Sequence, residues 1–175
     1  MINMKERNEF DLIIKDLIDN KSVLEMKNYI QHCNTNCFDH CYNVAYLCYR
    51  ISKKMKWDYV SAARGAMLHD LFLYDWRLPR KYRKNKKMHA FVHGKIALEN
   101  ASLVCELNEI ERDMILNHMW PVTLTIPKSK EGFLLTIIDK YCAYIEIIDG
   151  FSSVFSKNYY VKYFYVMFIL LFKRF

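Results

Sequence analysis

At 175 residues the chain has room for one domain with a real hydrophobic core and little beyond it. Hydrophobic residues make up 53%, against four glycines and three prolines, which favours long helices over a loop-rich or disordered chain. The net charge of +7 is concentrated in RLPRKYRKNKK, Arg77 to Lys87, which holds seven cations and no acid and reads as a solvated loop or a phosphate-attracting rim.

The opening stretch, MINMKERNEFDLIIK, lacks the apolar run of a secretion signal. Apolar spacings of three and four residues predict helices over 5–18, 21–32, 38–55, 58–71, 92–106, 109–119 and 130–148, with no strand: an all-helical bundle. Asp58, Asn108 and Ser129 precede periodic stretches as N-caps, and Pro121 and Pro127 bracket a loop. Six cysteines form no CxxC pair, which argues against a zinc ribbon or a thioredoxin-type redox site. Cys33, Cys37 and Cys41 are spaced by four, as core residues along one helical stripe would be. Unpaired-looking cysteines suggest a reducing, cytoplasmic setting. Residues 163–172, YFYVMFILLF, are ten apolar residues in a row. As a helix they would span about 15 Å, half a bilayer core, so the tail reads as a packing or dimer helix, with shallow membrane contact as the alternative.

The chemistry concentrates in ARGAMLHDLFLYDW, residues 63–76, where His69 and Asp70 close an apolar, small-residue stretch. Neighbours on a regular helix point about 100° apart, but at a helix end both can turn toward one centre. His40 lies on the Val44, Leu47, Ile51 stripe of its helix. His93 opens HGKIALENA in the first turn of a helix, and His118 ends ERDMILNHMW on the stripe of Met114 and Ile115. Asp139 sits within the apolar FLLTIIDKYCAYIEII. Burying an unpaired carboxylate costs several kcal/mol, and one or two divalent cations would relieve that cost for all six residues together.

The order His40, His69–Asp70, His93, His118, Asp139 resembles the H…HD…H…H…D pattern of the HD-domain superfamily of metal-dependent phosphohydrolases, over about residues 35–145. AMLHD, HGKIA and DK at 139–140 look most like small stand-alone bacterial HD proteins, including relatives of dinuclear enzymes that cleave diadenosine tetraphosphate. The resemblance implies an HD-type helical bundle at 35–150, N-terminal helices 1–34 packed on it and an apolar tail at 151–175. It implies one metal held by His40, His69, Asp70 and Asp139, and a second reached by Asp70 and completed by His93 and His118. The donor set suits iron, manganese, zinc or cobalt better than calcium or magnesium.

Two such metals hold and activate a hydroxide and neutralise phosphate charge, so no side-chain nucleophile is required. The expected substrate is a nucleotide or another small phosphoester, and Asp70 is expected to act at the reaction centre. Arg77, Lys95 and Lys140 are the cations expected to meet substrate charge. His89 shares a helical face with His93 and reads as part of an exposed loop or as a substrate or metal contact. Asp75 is a candidate acceptor orienting a ligand histidine, Trp120–Pro121 walls a pocket or ends a helix, and Asp39 is a helix N-terminal charge. Glu99 and Glu146 read as helix surface. HDLFL departs from the HDIGK string of other branches, since Leu73 stands where a phosphate-binding lysine would be. The same ligand order also resembles the mixed-valence di-iron HD oxygenases, and a non-catalytic metal-binding scaffold is a third possibility. No specific nucleic-acid partner is expected, because the basic run offers only Tyr82 for stacking. A homodimer is possible.

Overall fold

The computed structural model describes residues 4–79 and 88–157, the last seven as helix backbone alone. Among the described residues the fold is all-α apart from one small hairpin. Its helices are α1 (Met4–Ile13), α2 (Lys15–Ile18), α3 (Lys21–Glu25), α4 (Cys37–Lys54), α5 (Tyr59–Leu68), α6 (His89–Val104), α7 (Glu109–Asn117) and α8 (Lys130–Lys157). None of these is long and apolar enough to cross a membrane. The tail at 163–172, and the basic run beyond residue 79, lie outside the described residues.

α5 is the hub, packed against α4, α7 and α8. Its sequence explains why: Ala62, Ala63 and Ala66 are fully buried and small enough to let neighbouring helices close in. Val44 and Cys48 of α4, Met114 and Ile115 of α7, and Leu135 of α8 complete the core around it. Phe10 of α1 is buried edge-on against Tyr42 and Tyr46 of α4, and Arg64 of α5 forks onto Asp16 at 2.6 and 2.8 Å.

The three expected caps form. Asp58 accepts from Ser61 N, Asn108 makes a reciprocal capping box with Glu111, and the Ser129 hydroxyl accepts from Gly132 N. Asp113 fixes the turn into α8 by accepting from Lys128 N, Ser129 N and the Ser129 hydroxyl.

One predicted helix is overturned. The segment 21–32 is helical only as far as Glu25; a 3-10 turn follows at Met26–Asn28, and Ile30–His32 (β1) pairs antiparallel with Thr35–Asn36 (β2). Asn36 stops any helical continuation, because its side chain caps α4 by accepting from Asp39 N. Cys33 therefore sits in the hairpin turn at φ 47°, off the helical stripe that carries Cys37 and Cys41. Gly150 of α8 lies beneath it, where a Cβ would come within 2.5 Å of Cys33 Cβ.

Candidate metal centre

Helix C-terminal ends place two of the histidines. The last carbonyls of a helix lack intrahelical donors. At the end of α5, His69 Nδ1 donates to Ala66 O at 2.7 Å; at the end of α7, His118 Nδ1 donates to Ile115 O at 2.8 Å. His93 does the same one turn into α6, toward His89 O at 2.9 Å. A carbonyl only accepts, so each Nδ1 carries a proton and each Nε2 is left to point its lone pair inward. α6 begins at His89, three residues earlier than the sequence suggests, so His93 falls in the second turn. Gly94 allows that approach, since a Cβ there would lie 3.0 Å from Leu116 O.

The Nε2 atoms meet carboxylates in two groups. In one, His93 Nε2 lies 2.8 Å from His118 Nε2, and Asp70 Oδ1 is 3.2 and 3.4 Å from the two. In the other, Asp139 Oδ1 is 3.1 Å from His40 Nε2 and 3.6 Å from His69 Nε2, while Asp70 Oδ2 is 3.5 Å from His69 Nε2. Asp70 thus gives one oxygen to each group. All six residues are buried, and His69 Nε2 and Asp70 Oδ1 have no hydrogen-bond partner.

These residues fit a metal. A cation about 2.1 Å from its ligands holds them roughly 3.0–3.4 Å apart, between the cis-octahedral and tetrahedral limits. The observed separations fall close to that window, and the orphaned atoms are those that face the gap. Imidazoles with Nδ1 fixed by an acceptor are the usual metal-binding arrangement. Ligand atoms of His40, His69 and Asp139, and of His69, Asp70 and His118, converge closely enough for each set to hold an ion.

Charge at the cluster follows from its neighbours. Burial pushes the Asp70 carboxyl up, but His69 and His93 outweigh it and hold the group well below the usual carboxylate range. Asp139 is likewise depressed against burial, by His40 and His69. His40 is raised well above an ordinary imidazole because Asp139 and Glu146 overcome its burial. His118 goes the other way, since burial outweighs its bond to Asp70. The close His93–His118 contact thus joins a ring inclined to charge and one inclined to stay neutral; a proton or a metal ion resolves their opposed lone pairs.

A pocket of about 320 Å³ lies over the cluster, lined by Gln31, His32, Trp76, His89, Met119, Val122 and Lys140 together with Asp70, His93, His118 and Asp139. Of the three expected substrate cations, only Lys140 lines it, its ammonium donating to His118 O and Thr136 O at 3.2 Å. Lys95 is exposed on α6 beside Glu99, and Arg77 is engaged by Asp75 at 2.8–2.9 Å. Those bonds also correct the expectation for Asp75, whose carboxylate is turned to Arg77 and not to a ligand histidine. His89 is no loop residue: it opens α6, stacks between Trp76 and His93, and meets the Tyr74 hydroxyl at 2.8 Å. Trp120 packs edge-on against Phe133, and its neighbours Met119 and Val122 form the pocket wall. Asp39 lies in the first turn of α4 as expected.

Three residues at the site were not anticipated. Gln31 is buried on β1, donates from Nε2 to Asp70 Oδ2 and leaves Oε1 unpartnered. His32 follows it, edge-on to His40. Glu146 is not helix surface: its carboxylate receives His40 Nδ1 at 3.0 Å with the side chain 11% exposed. Its spacing of seven from Asp139, two turns along one face, was the available signal. No protein-family model, curated protein or solved structure matches the chain.

Proposed function

We propose that the protein is a metal-dependent phosphohydrolase that hydrolyses a nucleotide or another small phosphoester at a dinuclear centre of iron, manganese, zinc or cobalt. The observation that carries this is the division of Asp70: Oδ1 faces the His93–His118 pair and Oδ2 faces His69, so one carboxylate joins two donor groups. The HD-like order of the six residues supports the same assignment. The free cysteines fit a reducing, cytoplasmic setting.

When bound, such ions supply Lewis acidity, polarising phosphoryl oxygens and bringing a water pKa to near 7. The chain supplies the rest. Gln31 holds Asp70 in the bridging orientation, and the fixed Nδ1 protons keep the Nε2 lone pairs aimed inward. Lys140, at the pocket, is placed to meet the phosphate charge. Trp76, Met119 and Val122 form an apolar wall for the organic part of the substrate and limit access of bulk water. No side-chain nucleophile takes part.

The test is elemental analysis of the purified protein beside a screen of nucleotides, dinucleoside polyphosphates and simple phosphodiesters. Phosphate release that depends on the bound metal is expected. Oxygen consumption without phosphate release would assign the centre to oxygenase chemistry, and neither activity in metal-loaded protein would leave a binding scaffold.

A further inference from the structure

His40 differs from the other three imidazoles of the centre. Their Nδ1 protons go to neutral backbone carbonyls, whereas His40 Nδ1 lies 3.0 Å from both Oε1 and Oε2 of Glu146. His40 is fully buried, and no lysine or arginine pairs with Glu146 among the described residues. Arg7, which shares the 480 Å³ cavity beside Glu146, has its guanidinium over the rings of Tyr42 and Tyr46. The Glu146 charge is therefore directed at one ligand.

We infer that Glu146 is a positioning residue that makes the His40–His69–Asp139 half of the centre the tighter metal site, so the two halves fill in sequence. This rests on the six-residue centre proposed above. A carboxylate accepting from Nδ1 fixes the ring and raises the basicity of Nε2, and loss of such a partner costs about 10–100-fold in metal affinity. The His93–His118 half, oriented only by neutral carbonyls, receives no such help. A rival arrangement is visible, because ligand atoms of His32, His40 and Glu146 also lie within 4.8 Å of one another. It would require His40 Nδ1 to give up the proton that it shares with Glu146.

The test is calorimetric titration of the full chain, stripped by chelator, with Co²⁺, in wild type, Glu146→Gln and Glu146→Ala. Asp139→Ala and His93→Ala identify which binding step belongs to which half. Expected are two equivalents per chain, with the step lost in Asp139→Ala the tighter. That step should weaken about 10–100-fold in Glu146→Ala and less in Glu146→Gln, which keeps an acceptor for Nδ1, while the other stays within about threefold. Circular dichroism of the stripped variants checks the fold, and Glu146→Gln serves alone if the alanine variant unfolds. Equal loss at both steps, or none, overturns the inference and leaves the centre standing. A third equivalent, lost in His32→Ala and in Glu146→Gln, would overturn it by making these residues ligands. No binding in wild type would instead remove the centre itself.

Discussion

Asp70→Ala is the perturbation with the clearest consequence. Asp70 is 2% exposed and gives one carboxylate oxygen to each donor group. A ligand that binds only the folded state at 100 times its Kd stabilises it by about 2.7 kcal/mol. For a chain of this length each kcal/mol moves the melting temperature by about 2–4 °C, so saturating metal should raise wild-type Tm by about 5–10 °C. The variant removes an oxygen from each half at once and should lose most of that rise. Truncation also strips Gln31 Nε2 of its acceptor, which changes the stability of the metal-free protein. The proper readout is therefore the difference between melts with and without metal, followed by circular dichroism on chelator-stripped protein with Mn²⁺, Co²⁺ or Zn²⁺ added back. A full wild-type shift in Asp70→Ala would refute the bridging role.

Other substitutions probe separate parts of the structure. Lys140→Met should raise KM for a phosphorylated substrate about tenfold or more with metal content unchanged, a loss of charge-assisted contact that steady-state kinetics reads directly; Lys95→Met, on the outer face of α6, should leave KM within about twofold. Gly150→Ala forces a Cβ to within 2.5 Å of Cys33 Cβ, at a cost of about 1–3 kcal/mol in urea unfolding, and Cys33→Gly in the same chain should recover part of it. Asp113→Asn should destabilise by about 1–3 kcal/mol at pH 7, because the carboxylate accepts from Lys128, Ser129 and Asn117. Burial raises the Asp113 pKa, but those hydrogen bonds outweigh it and depress the folded-state value. The stabilisation is thus complete above the unfolded carboxyl range and lost as pH falls through the folded value. The gap between wild type and Asp113→Asn in unfolding free energy should shrink below about pH 4, and a gap that widened there would contradict the assignment.

The helical architecture and the six converging residues were legible because both are written in helix-scale spacing. His69 and His118 end periodic stretches, and Asp139 interrupts one. The hairpin was not legible, since strands of three and two residues carry no usable period and the preceding apolar spacing ran on smoothly. With it went Gln31 and His32, which enter the site only because the chain reverses at Cys33. The cations failed for another reason. Arg77 and Lys95 stand close in sequence to Asp70 and His93, but a local acid or an outward helix face decides where a long side chain goes. Glu146 was passed over for its type, because a glutamate on a helix is usually solvated, although its spacing of seven from Asp139 puts it on the same face.

Diffraction data collected at the absorption edge of the reconstituted metal would test the shared centre most directly. Two anomalous peaks are expected, one about 2.1 Å from the Nε2 atoms of His93 and His118 and one equally close to those of His40 and His69, with an Asp70 oxygen on each. Metal bound elsewhere on the chain, with these six side chains bare in fully loaded protein, would contradict it.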